Sequence, residues 1–461
     1  MKCRSQISFF SSAFLMLSHR SFVAHLAGAA GVGASSLLPS AALSSWHEHL
    51  LTTGAGKSAA DVATDETFWA QAMTAFSVDR TLINLNNGGV SPIPKTVLQA
   101  TQEYMDAVNK APHYVLNQIL LPRIETVRAA LARTFGVAAD ELALTRNTSE
   151  ALQIVQLGLP MKSGDEVIIT TQDYPRMIIA WEQRARREGV ILKKVSYPAP
   201  LLRPTDFIER IIAAVTPRTR VIHVSHVCFA TGEILPVREL CRWARERGIL
   251  TMVDGAHAFA QFPFTYADVE CDFYATSLHK WLYAPLGNGF LFMRREHIKS
   301  VWPLMAAAPD KDSNIRKFEE IGTAQLGLRA AVGEALAFNE ALDASFTPPT
   351  LVFARKAERL RALNRRWTAR LRGYSNVQFL TSITRPEASC GLVLMHIDGI
   401  DIGKMTDYLL RKHRIIVAQI VWAELRGIRI TPNIYTRPSE IDLFADIMEQ
   451  AARGEIPEIK T

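Results

Sequence analysis

From residue 142 to residue 294 the chain alternates short apolar runs with longer segments of helical periodicity, and this alternation limits the possible folds more than any other feature. The runs 166–170, 191–195, 220–224, 250–253, 273–276 and 289–293 are mostly apolar or β-branched, as strands covered on both faces are. Between several of them lie helical patterns with clear stops: 176–188 before Gly189, 205–215 before Pro217, and 237–247 before Gly248. The pattern predicts an α/β fold with a mostly parallel sheet between layers of helix. Such sheets bind ligands beyond the carboxyl ends of their strands, so reactive side chains are expected just after the runs.

Further helical patterns cover 94–109 and 118–135 upstream, the second starting near Pro122 and ending at Gly136. Upstream again, a short apolar strand breaks into Asn87-Gly88-Gly89, whose glycines allow close backbone approach to a ligand. Downstream come a long helix at 323–344, the break Pro348-Pro349 and a basic helix at 350–372. Strands at 391–397, 415–419 and 427–431, with helices at 401–412 and 438–453, then predict a compact α+β unit. The expected division is a large domain over 81–345 and a small one over 346–461, preceded by a linker and helix over 46–80.

The first 45 residues read as a targeting segment. Ser18-His19-Arg20-Ser21-Phe22-Val23 leads into a small-residue apolar run over 26–38 and then Pro39-Ser40-Ala41-Ala42. This resembles a twin-arginine export signal with His19 in place of the first arginine, which implies a periplasmic protein; without export the chain is cytoplasmic. The pattern is complete from Met16, an alternative start. The run is too short and too rich in Gly and Ala to span a membrane.

With 461 residues, 48% hydrophobic and 21% charged, the chain can build a large core and two domains. Its net charge of +7 comes from 52 basic and 45 acidic residues spread along the sequence, which does not indicate nucleic acid binding. The five cysteines have neither metal-ligand nor disulfide-framework spacing.

Lys280 stands in the apolar stretch Tyr274-Ala275-Thr276-Ser277-Leu278-His279-Lys280-Trp281-Leu282. Burial disfavours an ammonium, lowers its pKa and leaves an amine able to form a Schiff base with an aldehyde. The plainer alternative is a lysine whose stem packs on Trp281 while its head reaches water. Asp254 closes the run 251–254 and, once buried, needs a cation or several donors; a pyridinium nitrogen would suit it. Asn147 is a candidate helix cap with Glu150 closing a capping box, and the free N–H groups of Thr148 and Ser149 would then hold a phosphate. Ser277 and His279 complete the cup.

Together, Leu85-Asn86-Asn87-Gly88-Gly89, Arg146-Asn147-Thr148-Ser149-Glu150-Ala151-Leu152, Val253-Asp254-Gly255-Ala256-His257 and Ser277-Leu278-His279-Lys280-Trp281 resemble the class V aminotransferase family of pyridoxal-phosphate enzymes, nearest its isopenicillin N epimerase-like branch. The resemblance runs from about Leu82 to the C-terminus. It implies fold type I: a mostly parallel, seven-stranded large domain and a smaller α+β C-terminal domain. Lys280 would carry pyridoxal 5'-phosphate as a Schiff base and shuttle the α-proton, and Asp254 would keep the ring nitrogen protonated. Thr148, Ser149, Ser277 and His279 would bind phosphate. His226 and His257 would contact the ring hydroxyl, and Tyr174 would stack on the ring. Arg429, with Asn87, would bind the substrate, its guanidinium gripping a carboxylate through two parallel hydrogen bonds. Thr323 would reach the neighbour's phosphate in a homodimer with shared active sites.

The resemblance leads to an aminotransferase acting on the α-carbon of an amino acid. An epimerase or a C–S lyase stands behind it, because all of these fates need the same electron sink and base. Desulfurases of the family carry a reactive cysteine on a loop shortly before the substrate arginine, and no cysteine lies between Lys404 and Arg429. A catalytically silent protein that keeps the fold is the non-enzymatic alternative; the intact set of Lys280, Asp254 and Arg429 speaks against it. A nucleotide-binding α/β protein would need a GxGxxG or P-loop after a strand, and there is none.

Overall fold

Chain order and hydrogen bonding together decide which strand ends meet. The computed structural model describes residue 50 and residues 52–54, 56–343 and 352–461. The export-signal reading of residues 1–45 lies outside the described residues. The strands in chain order are β1 (Ile83–Asn84), β2 (Leu142–Thr145), β3 (Glu166–Thr170), β4 (Ile191–Val195), β5 (Thr219–Ser225), β6 (Leu250–Asp254) and β7 (Phe273–Ser277). They continue with β8 (Gly289–Met293), β9 (Val377–Phe379), β10 (Val393–Ile397), β11 (Ile415–Ile416), β12 (Ala418–Trp422) and β13 (Leu425–Ile430).

Among the described residues, seven strands form the large sheet in the order β2-β8-β7-β6-β5-β3-β4. The run from β7 through β4 is parallel, and β8 lies antiparallel to both β7 and β2. Strands β3, β7 and β8 are buried at every residue, which is why they read as continuous apolar runs. Edge strand β4 is half exposed and carries Lys193 and Lys194, a charged edge that discourages further pairing. Side chains alternate between the two faces. Val167, Val221, Met252 and Ala275 face one core, over which the helices Thr148–Gly158 and Pro175–Glu188 lie. Ile168, Ile222, Val253 and Tyr274 face the other, covered by Leu121–Phe135, Pro204–Ala213 and Val237–Arg245.

The small domain is a four-stranded antiparallel sheet, β12-β13-β10-β9, under the helices Ala354–Leu371 and Pro438–Ala452, with Trp367, Phe444 and Met448 in its core. Here the structure departs from the expected boundary at residue 81. Strand β1 pairs in parallel with β11, the amides of Ile83 and Leu85 donate to the carbonyls of Arg414 and Ile416, and Leu85 is buried in the small-domain core. The segment at 83–86 therefore bonds with the small domain, because that is where its backbone finds partners. The expected strand at 415–419 is split into β11 and β12. The expected helix at 323–344 is two helices, Leu326–Ala330 and Val332–Leu342. The helix expected from 118 is preceded by a π-turn over Val115–Leu120 and ends where Gly136 takes φ +82°.

Gly289 on β8 sits where sheet and site meet: a Cβ there would lie 2.6 Å from the Thr276 carbonyl oxygen and 2.8 Å from Asn147 Cα. Both neighbours are backbone and cannot move aside cheaply. Gly289→Ala should lower stability by about 2 kcal/mol or more, whereas Gly373→Ala, with open space around the new methyl, should be neutral or stabilise by up to about 1 kcal/mol. Urea denaturation midpoints of the two variants check this.

Candidate active site

The sheet delivers Asp254 and Ser277 to adjacent strand ends, on the face covered by the helix Thr148–Gly158. Asp254 is buried at the end of β6, and its Oδ1 accepts from the Ala256 amide at 2.9 Å. Burial raises its pKa; the Ala256 N–H and the charge of Lys280 pull the other way. A carboxylate this deep with one donor among the described residues is an incomplete site. Ser277 ends β7, and its Oγ accepts from the Thr148 amide at 3.0 Å and lies 2.7 Å from the Thr148 hydroxyl. Two hydroxyls and a helix-start amide thus converge, with Ser149 partly exposed beside them. Asn147 caps the helix through the Glu150 amide at 2.9 Å. The expected capping box does not close, because the Glu150 carboxylate accepts instead from the Arg146 amide and guanidinium at 2.5–3.0 Å, a charge-assisted partnership that outcompetes a neutral amide.

The Lys280 amine lies 3.0 Å from His257 Nε2. Part of the lysine is still reached by solvent, yet desolvation brings its pKa down to about 8; Asp254 opposes the shift and Arg429 adds to it. Burial, followed by the charges of Lys280, Arg429 and His279, holds His257 far below its ordinary value, so it is neutral at physiological pH. An ammonium donating to Nε2 leaves the imidazole proton on Nδ1, which is buried with no partner among the described residues. His279 is held at about 4, chiefly by burial, and its Nδ1 is likewise unpaired. The carrier loop is pinned by its carbonyls: His279 O accepts from the Ser91 amide at 3.2 Å, Trp281 O from Lys356 Nζ at 2.7 Å, and Leu282 O from Asn339 Nδ2 at 2.9 Å. None of Ser91, Lys356 or Asn339 could be found from sequence, since each acts through backbone far along the chain.

Arg429 is buried on β13. One terminal nitrogen donates to the Phe229 carbonyl at 2.5 Å, another donates to Asn86 Oδ1 at 3.1 Å, and Nε has no partner. Among the described residues no carboxylate pairs with it, and desolvation lowers its pKa to about 10. Two expected positions are corrected here. Asn87 is fully buried with its amide committed to the carbonyls of Asn84 and Thr431 at 2.8 and 2.9 Å, and its Oδ1 accepts from Tyr435 at 2.5 Å; Asn86 is the residue that meets Arg429. His226, one residue past β5, turns toward the opposite face of the sheet. Its ring packs edge-on to Phe264 at 4.7 Å and Phe262 at 5.7 Å, with Nδ1 3.4 Å from the Tyr274 hydroxyl, and burial lowers its pKa to about 4. On the face of Asp254, that position in the chain is filled by Ser225, whose amide and hydroxyl donate to Asp173 at 2.9 and 2.6 Å. Tyr174 stands partly exposed, edge-on to Phe229 with ring centroids 5.5 Å apart. Thr323 lies on an exposed loop and forms no hydrogen bond with the Thr148–Ser277 pair.

An amine of depressed pKa, a buried carboxylate short of a partner, and a cup of hydroxyls and an amide at a helix start fit pyridoxal phosphate, and on this fold they define a fold type I pyridoxal-phosphate enzyme. The chain belongs to the class-V aminotransferase family, whose model matches residues 83–419. Isopenicillin N epimerase of Streptomyces clavuligerus is 31% identical over 404 residues, covering 84% of this chain and 99% of that protein. A probable cysteine desulfurase of Xylella fastidiosa (strain Temecula1) is 30% identical over 231 residues, covering 49% of this chain and 54% of that protein. A solved cysteine desulfurase from Thermococcus onnurineus NA1 shares the fold, with TM-score 0.71 at 23% identity over 84% of this chain and 98% of that one.

The neutral amine is the nucleophile, and Lys280 is mainly ammonium below about pH 8. Covalent capture of pyridoxal phosphate by the apoprotein, trapped with borohydride, should therefore speed up through an inflection near pH 8 and level off above it, where an unperturbed lysine would inflect above 10. Asp254→Asn removes the charge that favours the ammonium and should move the inflection lower. Rate against pH for both proteins checks the sign.

Proposed function

We propose that the chain is a pyridoxal-phosphate-dependent amino acid epimerase of the isopenicillin N epimerase-like kind, removing and returning the α-proton of a substrate held by its α-carboxylate. One observation carries the reading: Arg429 is a buried guanidinium with no carboxylate partner among the described residues, close enough to Lys280 and His257 for its charge to depress both. A substrate carboxylate is the anion that would complete it. When bound, pyridoxal phosphate supplies a protonated, conjugated ring that accepts the electron pair left by the broken Cα–H bond.

The chain's own residues do the rest. Thr148, Ser149, Ser277 and His279 would hold the phosphate, and Asp254 would stabilise charge at the ring nitrogen. Arg429, oriented by Asn86 and the Phe229 carbonyl, would align the carboxylate, while Lys280 takes the α-proton at its amine; inversion then needs a second acid to return a proton to the opposite face of Cα. Tyr174 would stack on the ring. Thr323 reaches the phosphate site of a second copy in a homodimer.

The kind of reaction is supported by extent of similarity. The epimerase relative is matched along 99% of its length, the desulfurase along 54% of its length. Among the described residues, thiolate chemistry also lacks an accessible nucleophile. Cys228, Cys241, Cys271 and Cys390 are all buried, and desolvation raises each thiol, to about 12 for Cys241 and about 11 for Cys390. Transamination starts from the same proton removal and differs in where the proton returns.

Holoenzyme incubated in D2O with single L-amino acids should yield the D-enantiomer carrying α-deuterium. Keto acid in stoichiometric amount would move the reading to transamination; no deuterium with any amino acid would refute it. Arg429→Leu should raise KM by roughly 30-fold or more, as the roughly 2–5 kcal/mol of a buried charged contact requires. Lys280→Ala should lower kcat by about 1,000-fold or more.

A further inference from the structure

The hairpin that presents Arg429 is fastened at its tip to the other domain by a carboxylate that the proposed chemistry does not use. Strands β12 and β13 pair from Ala418 opposite Arg429 to Trp422 opposite Leu425, leaving Ala423 and Glu424 as a two-residue turn. Ala423 takes φ +49°, a left-handed conformation that glycine or asparagine normally supplies in such a turn. It persists only where the surroundings over-determine it.

Glu424 provides that constraint. Its Oε1 accepts from Gln172 Nε2 at 2.8 Å, Ser196 Oγ at 3.0 Å and Thr171 Oγ1 at 3.1 Å, and its Oε2 from the same Thr171 hydroxyl at 3.2 Å. All three donors belong to the large domain: Thr171 and Gln172 follow β3, and Ser196 follows β4. Burial alone would raise the Glu424 pKa; the hydrogen bonds from Gln172, Ser196 and Thr171 outweigh it and hold the group below its ordinary value. The clasp is thus ionised and bonded to neutral donors, the arrangement in which a charged acceptor gains most.

The same β ribbon is buried nearer its base, where Ile420 and Leu425 pack with Cys228, Ala230 and Leu394. Phe229, whose carbonyl holds Arg429, lies between Cys228 and Ala230. Tip and guanidinium are five residues apart, roughly 17 Å along the strand. Because a paired ribbon transmits displacement along its length, fixing the tip restricts where the guanidinium can stand over Lys280.

We infer that Glu424 is a positioning residue that latches the small-domain hairpin to the ends of β3 and β4 and so holds Arg429 in register for the substrate carboxylate. The inference rests on Arg429 being the carboxylate site. Glu424 itself is exposed, so its substitution leaves the core intact.

The test uses the full-length holoprotein, Glu424→Ala, Glu424→Gln, Thr171→Val and the double variant Thr171→Val/Glu424→Ala. Amide hydrogen exchange over 418–430 should be about tenfold faster in Glu424→Ala than in wild type. The apparent dissociation constant for glycine, which has the α-carboxylate and no side chain, should rise about tenfold by cofactor absorbance. Borohydride labelling of Lys280 should be unchanged. Glu424→Gln should fall between, and the double variant should be no worse than Glu424→Ala, since both substitutions break one clasp. Unchanged exchange refutes the latch, and faster exchange with unchanged glycine affinity refutes the positioning role. A wild-type protein whose absorbance responds to no amino acid would instead sink the assignment of Arg429, and this inference with it, even if the exchange result stood.

Discussion

Charges that cannot satisfy one another are gathered at one place, and the rest of the architecture is arranged to hold them there. Among the described residues Asp254 has one N–H donor, Arg429 has two neutral oxygens, and Lys280 has an imidazole nitrogen. None of the three forms a salt bridge with another among the described residues. Each is buried deeply enough that desolvation dominates its pKa. Paired with each other, they would form a stable and inert triad. Kept apart, they leave the folded state with a deficit that only a ligand carrying complementary groups removes, so binding and stability are linked.

Keeping them apart takes stiff supports. Asp254 is set by β6, a central strand whose neighbours β5 and β7 pair along it in register. Arg429 is set by β13, bonded on both sides by β10 and β12. Lys280 has no strand beneath it and sits instead on a loop whose next residues are tied by Lys356 and Asn339. Lys356 is fully buried with its amine 4.6 Å from the Tyr283 ring centroid and 4.8 Å from that of Phe353, and burial holds its pKa well below the ordinary lysine value. Tyr283 in turn takes φ +64° and donates its hydroxyl to Asn433 at 2.8 Å, joining the loop to the segment that follows β13. The amine and the guanidinium are therefore spaced by one connected frame.

Where the sequence was legible, the signal was local. Runs such as 166–170 and 289–293 became β3 and β8 residue for residue, because strands buried on both faces draw mostly on apolar side chains, the buried Glu166 at the start of β3 being paired with Lys193 and Arg218. Lys280 and Asp254 stood out because a charge in such a run is anomalous. Two departures at the site share one cause, the parity of extended chain: successive side chains point opposite ways. Asn86 and Asn87 are chemically identical in sequence, yet one faces Arg429 and the other Tyr435. His226 and Ser225 differ by one position and face opposite sides of the sheet. Strand β9 is three residues long and too short to carry a periodic signal, and the pairing that ties residues 83–86 to the small domain depends on partners more than 300 positions away, which no local pattern encodes.

A second carboxylate shows what sets Asp254 apart from its neighbour. Asp173 is also buried at a strand end, near enough that the charge of Asp254 adds to the burial that raises its pKa to about 6. Asp173 accepts from the amide and hydroxyl of Thr170 at 2.8 and 2.7 Å and from the amide and hydroxyl of Ser225, so its acceptor positions are filled by the ends of β3 and β5. Its work is internal: it ties two strands together beneath the loop that carries Tyr174. Asp254 receives one such donor. Of two acids with comparable burial, the one left short of hydrogen bonds has the capacity to take a new cation, and donor count rather than residue type separates the two.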